Sequence, residues 1–160
     1  MKKTVAGLIG LALLATPALA AKKGDVKVSG QGTLQDGRIF AVSATLYQDG
    51  TARGQATLIN HAFSGDNGKG PYKLHIDITC AKYTPEDTVI IGGYTRRTND
   101  SSLVDAVFFE LQDNGKDDLL SRAYFWDGDP NTTGDPAACQ LTNSGELPME
   151  EVIRGNINVH

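Results

Sequence analysis

The chain has 160 residues, 40% hydrophobic and 21% charged, with 15 Lys and Arg against 19 Asp and Glu. An acidic balance argues against partners that need a positive face, nucleic acid and anionic lipid above all. The length suits one domain with a proper core.

Lys2 and Lys3 form a short basic opening, and residues 5–15 follow as an uncharged, mostly apolar run. Thr16-Pro17-Ala18-Leu19-Ala20 then closes in the small-x-small pattern that signal peptidase reads. An uncleaved membrane anchor would want about 20 apolar residues, and Pro17 breaks this shorter run. The expected division is a signal peptide over residues 1–20 and a single secreted β-domain over 21–160, in the periplasm or outside the cell. Losing Lys2 and Lys3 leaves thirteen Lys and Arg against nineteen Asp and Glu, a net charge of −6.

The mature part has the period of strands. Phe40, Val42, Ala44 and Leu46 share one face of residues 37–47. Leu74, Ile76, Ile78 and Cys80 share another, opposite His75, Asp77 and Thr79. A run begins at Val89–Ile91, and a further one over 103–111 has Val107, Phe109 and Leu111 in step. Leu120, Arg122 and Tyr124 alternate against Leu119, Ser121, Ala123 and Phe125. The last segment puts Ile153, Gly155, Ile157 and Val159 on one side and Arg154, Asn156 and Asn158 on the other. Asp36-Gly37 and Asp49-Gly50 sit between alternating segments as hairpin signals, predicting a three-stranded meander over 25–60. Together these predict an all-β fold, an antiparallel sandwich or barrel of about eight strands. A helical turn has room only at residues 136–140 or 147–152.

Cys80 and Cys139 are the two cysteines. In an oxidising compartment they are expected to form one disulfide, and their spacing makes a poor zinc site. No G-x-S-x-G elbow, H-E-x-x-H or Walker loop is present, so no catalytic residue is assigned. His75 and Asp77 lie on the same strand face, where a solvated pair is the plainer reading than a base and its orienter. No cofactor is expected: Asp127, Asp129, Asn131 and Asp135 offer oxygen ligands for calcium in one loop, but a solvated turn is the plainer reading. That loop departs from the EF-hand at Thr132 and Ala138, and 113–118 makes a second Asx-rich loop. Aromatics gather late, at Phe108, Phe109, Tyr124, Phe125 and Trp126. Tyr124 and Trp126 are the candidate contacts for a protein or carbohydrate partner.

Several landmarks fall in a recognisable order: Thr79-Cys80, Val89-Ile90-Ile91-Gly92-Gly93, Asp113-Asn114-Gly115 with Asp118 and Ser121, and Arg154-Gly155-Asn156-Ile157-Asn158-Val159-His160. The chain from Asp36 to His160 resembles a group of small uncharacterised secreted bacterial β-rich domains that share this order. Residues 118–127, with Arg122 and Trp126-Asp127, also resemble the closing strand of domains appended to surface proteins. The Met-Lys-Lys-Thr opening is similar to those of Gram-negative envelope proteins. The resemblance implies a β-rich exported module and carries no catalytic residues.

The expected role is that of an exported, non-enzymatic envelope or extracellular domain with a binding or structural task. Two alternatives are a periplasmic barrel that carries a small apolar ligand and a small hydrolase or hydrolase inhibitor. An outer-membrane barrel is disfavoured, because Asp77, Arg122, Arg154 and Asn156 fall on outward faces.

Overall fold

The computed structural model describes residues 25–61, 72–84, 87–125 and 134–160; the expected signal peptide and the loop positions Asp127, Asp129 and Asn131 lie outside them. The strands are β1 (Val26–Leu34), β2 (Ile39–Leu46), β3 (Thr51–Asn60), β4 (Tyr72–Thr84), β5 (Thr88–Thr98), β6 (Ala106–Gln112), β7 (Leu119–Ser121), β8 (Tyr124–Phe125) and β9 (Met149–Val159). Among the described residues two 3₁₀ turns, Ser101–Leu103 and Pro136–Gln140, interrupt the connections.

Each of β1 to β6 pairs antiparallel with the next, β7 pairs with β9, and β9 returns to β1. That last pairing closes the ring, so the fold is an eight-stranded antiparallel barrel with β8 as one extra strand. Closure removes the open edges that a sandwich of this size would have to protect. β5 covers one whole edge of β6, so β7 and β8 share the other edge, with pairings one residue out of step.

The first two hairpins use one device. Gln35-Asp36-Gly37 and Gln48-Asp49-Gly50 are three-residue loops whose glycines have φ of 86° and 84°. Gly37 N–H donates to Leu34 O at 3.0 Å, and Gly50 N–H to Tyr47 O at 3.1 Å. Asp36 and Asp49 each accept the backbone N–H two residues on. This is the type I turn with a left-handed third residue, a position that glycine takes without strain.

The inward halves of the alternation fill the barrel. Phe40, Leu34, Leu74, Ile76, Ile91, Phe109, Leu111 and Ile157 are fully buried there. Cys80 does not share the inward face of Leu74, Ile76 and Ile78, because the register shifts between Ile78 and Cys80 and turns it to the outer wall. Two further expected faces need correction. In β9 the inward residues are Val152, Ile157 and Val159, and Ile153 is 56% exposed. The β1–β9 register slips between Thr33 and Leu34, leaving Ile153 as the extra residue of a bulge, which flips the phase of the residues before it. Likewise Leu120 points inward and does not share a face with Arg122, which is exposed as expected, because the strand breaks at 122–123 before β8 resumes it. Of the two places for a helical turn, Pro136–Gln140 holds one, whereas 147–152 runs into β9. Leu103 ends a 3₁₀ turn, and the expected strand starts only at Ala106.

A second, smaller core lies outside the barrel. Residues 134–148 form a strap across the outer wall of β4, β5 and β6, burying Cys80, Ile90, Ala106, Phe108 and Cys139. Phe108, which the alternation turns away from the barrel interior, is thereby buried as well. The expected disulfide between Cys80 and Cys139 fastens the strap to β4, with the Cα atoms 6.2 Å apart. Gln140 Nε2 donates to Ala81 O at 2.8 Å and Gly50 O at 2.9 Å, and Lys82 Nζ donates to Thr142 O at 2.8 Å.

Candidate functional site

Three buried carboxylates, Asp118, Asp105 and Glu110, are held by backbone and hydroxyl donors. Asp118 accepts Asn114 N–H at 2.9 Å and Ile157 N–H at 2.6 Å. Asp105 accepts the N–H groups of Ala106 and Gly134 at 2.6 and 2.9 Å. Glu110, 1% exposed, accepts Ser144 Oγ at 2.8 Å and so anchors the strap. These groups tie loops to strands.

One mouth of the barrel is closed by charge. Arg38, itself buried, bonds Asp36 Oδ2 at 2.6 Å through Nε and Glu150 through Nη2, while Arg122 Nε bonds the other oxygen of Glu150 at 2.9 Å. The Arg122 hydrogen bond, followed by that of Arg38, holds Glu150 below the usual carboxylate range against the opposing effect of burial. The gap left beside Arg38, Phe40, Tyr72 and Leu120 is about 20 Å³, room for about one water.

The remaining outer wall carries a polar belt. Two rows of outward residues run in register across six strands. One is Asn156–Gln31–Ala41–Thr57–His75–Arg97, and the other is Asn158–Ser29–Ser43–Gln55–Asp77–Tyr94. The small side chains of Ser29, Ala41 and Ser43 make a shallow groove of about 500 Å³ between the taller Asn156, Asn158, Gln31 and Gln55. A second depression of about 260 Å³ continues it over β3, β4 and β5, sharing Gln55 and Thr57 and ending at Arg96 and Arg97. Within it His75 Nδ1 lies 3.2 Å from Thr57 Oγ1, and Asp77 Oδ1 lies 3.7 Å from Arg96 Nη1. His75 and Asp77 are thus each engaged with a neighbouring strand, not arranged as base and orienter.

The expected site residues are dispersed. Tyr124 is half-buried on β8, and Trp126 lies outside the described residues. Asp135 caps the 3₁₀ turn, its Oδ1 accepting Ala137 N–H at 2.9 Å. Among the described residues no three His, Cys, Asp or Glu side chains converge as metal ligands. Sequence reading missed the belt. Its signal was the polar half of each alternating strand, but the rows exist only once the register joins the strands.

The motifs of the resemblance meet one another in space. Gly92 lies under the strap: a Cβ there would be 2.5 Å from Pro136 O and 3.0 Å from Cys139 Cβ. Asp113 and Asp118 bond the N–H groups of Val159 and Ile157 in the last strand. These motifs close and fasten the barrel. Compared with known proteins, the chain matches no family model, no curated protein and no solved structure.

Proposed function

We propose that this chain is an exported, non-catalytic binding domain, a β-barrel scaffold that engages its partner through the polar belt on its outer wall. The observation that carries this reading is the register itself: two adjacent rows of hydrogen-bonding side chains cross six strands above a groove floored by Ser29, Ala41 and Ser43. Amides and hydroxyls in fixed rows both donate and accept, which suits a polar ligand lying along the wall. The buried carboxylates Asp105, Asp118 and Glu110 are engaged as anchors between loops and strands. Export follows from the signal pattern of residues 1–20 and from the resemblance to secreted bacterial domains, both of which concern sequence alone.

The barrel interior speaks against the carrier alternative. A ligand-sized void leaves water-accessible surface on the side chains lining it, whereas Leu74, Val89, Ile91, Val107 and Leu111 have none. The outward rows also speak against a lipid-facing wall, where charged side chains are destabilising.

Fractionation of cells expressing the full chain tests export: recovery from periplasm or medium, lacking residues 1–20, supports it, and retention of uncleaved protein in the cytosol overturns it. Binding is tested by retention of labelled protein on isolated cell envelopes. The wild type is expected to be retained, and Ala41→Trp, which fills the groove, to be released. Equal retention of both, or retention of neither, overturns the reading.

A further inference from the structure

Charge on this molecule is segregated. Ten Lys and Arg lie among the described residues. Six of them, Lys27, Arg53, Lys73, Arg96, Arg97 and Arg154, are exposed on the wall that carries the belt. Arg154 and Lys73 border the belt on one side, at opposite ends of the row Arg154–Thr33–Ile39–Ile59–Lys73. Lys27 and Arg53 border it on the other side, both partnered with Thr45. Arg96 and Arg97 close the far end because a bulge in β5 turns both outward. The other four cations stand elsewhere: Arg38 and Arg122 pair with Glu150, Lys82 holds strap carbonyls, and Lys116 sits in the 113–118 loop.

Fifteen Asp and Glu lie among the described residues, yet strands β1 to β5 together contain one, Asp77, and it faces Arg96. A chain with net charge −4 therefore presents a wall with a strong local excess of positive charge. Such a field concentrates and steers an anionic ligand whatever the sign of the whole.

We propose that the belt binds an acidic polysaccharide, a linear polymer of sugar units bearing carboxylates; this rests on the binding reading given above. The two central rows are uncharged over β9, β1, β2 and β3, and side chains of this kind match the paired donor and acceptor character of sugar hydroxyls. Cations stand along the borders, where arginine forks meet carboxylates in bidentate fashion. Rows lie about 7 Å apart along the strands and strands about 4.8 Å apart across them. The strip is thus long and narrow, the shape of an extended chain and not of a compact ligand. Nucleic acid fits less well, since single strands are gripped by aromatic stacking platforms and the two rows hold only the rings of Tyr94 and His75, both at one end of the belt. A protein partner would be expected to meet large apolar anchors, whereas Ala41 and serines form the groove floor.

Affinity electrophoresis of the full chain through gels containing polygalacturonate, alginate, dextran or single-stranded DNA tests the proposal. The expected result is retardation by the two uronate polymers, suppressed by added salt, with little effect of dextran. Arg96→Ala together with Arg97→Ala, and separately Lys27→Glu together with Arg53→Glu, should each weaken retardation about tenfold or more, with an unchanged near-ultraviolet circular dichroism spectrum. Lys116→Ala, away from the belt, should leave it unchanged. Equal retardation by dextran, lost in Ala41→Trp, would overturn the acidic class while keeping the binding reading. DNA acting as strongly as the uronates would overturn it in favour of general polyanion attraction. No retardation by any polymer overturns it too, and envelope retention then decides the binding reading separately.

Discussion

Asp118 Oδ2 accepts the backbone N–H of Ile157 at 2.6 Å in a buried contact, and this side chain substitutes for a stretch of missing strand. β7 pairs with β9 only over Met149–Glu151, so the later N–H groups of β9 on that edge find no ladder partner. Asp118 O takes Val152 N–H, Asp118 Oδ2 takes Ile157 N–H, and Asp113 Oδ2 takes Val159 N–H. Two aspartates of one loop thereby complete the ring.

Replacing Asp118 should therefore loosen the closure. Asp118→Ala is expected to destabilise the fold by about 3 kcal/mol, since it leaves a buried N–H without an acceptor. Urea denaturation measures the loss, and faster amide exchange at Ile157 and Asn114 locates it. A change within about 0.5 kcal/mol, the range of ordinary surface substitutions, would show that the bond is dispensable.

Gly92 has no room for a side chain beneath the strap. Gly92→Ala would bring a methyl group within 3.0 Å of Cys139 Cβ and against Pro136 O. Overpacking of this kind costs about 1–3 kcal/mol. Thermal melts should show a lower Tm for Gly92→Ala, whereas Gly115→Ala, at a position with open space but φ of 75°, should show only the smaller effect of backbone strain.

The disulfide spans 59 residues. On the chain-entropy account, opening it costs about 4 kcal/mol. Cys80→Ser with Cys139→Ser should keep the barrel, whose ladders do not depend on the bond, but shift the urea midpoint downward. A full loss of β structure under native conditions would mean that the strap is needed for the barrel to form at all.

Tyr83 Oη donates to Asp87 Oδ1 at 2.6 Å, and that bond, with burial, pushes the phenol up to about 12. The folded value lies above the unfolded one, so this contribution is complete below about pH 10 and disappears as pH rises through about 12. Absorbance titration should show a late tyrosine ionisation that Tyr83→Phe removes. If Tyr83→Phe leaves the titration curve intact, the assignment fails.

At the acid end the sign reverses. Hydrogen bonds from Arg122 and then Arg38 hold Glu150 low. At Asp36 burial pushes upward, and the Arg38 backbone and guanidinium bonds outweigh it. Both groups stabilise the fold above about pH 4 and lose that contribution as pH falls through their lowered values. Glu150→Gln should flatten the stability profile between about pH 4 and its acid end, checked by urea denaturation at a series of pH values.

The strands were legible because period-2 alternation states burial directly. Phe40, Val42, Ala44 and Leu46 all lie inside the barrel as their spacing indicates. The two Asp-Gly turns were legible because φ above zero selects glycine. The faces failed at Ile153 and Cys80 and in the pairing of Leu120 with Arg122, where one extra residue reverses the phase and no residue type announces a bulge. Barrel and sandwich share the same alternation, and only the pairing of β1 with β9 separates them. The belt stayed hidden for the same reason, since Gln31 and Thr57 become neighbours of one groove only through Ala41 between them.

Joining β1 to β9 also sets the timing of folding. The earliest strand of the ring cannot be completed until residues 149–159 have left the ribosome, so its edge waits unpaired while the intervening chain is made. A topology whose decisive contact links opposite ends of the domain has high contact order, and such chains fold in milliseconds to seconds instead of microseconds. During that interval the meander of β1, β2 and β3, joined by its two glycine turns, is the part able to form first. Slow refolding limited by β9 docking, and a truncation before Met149 that leaves an open, aggregation-prone sheet, are the kinetic counterparts of that single ladder.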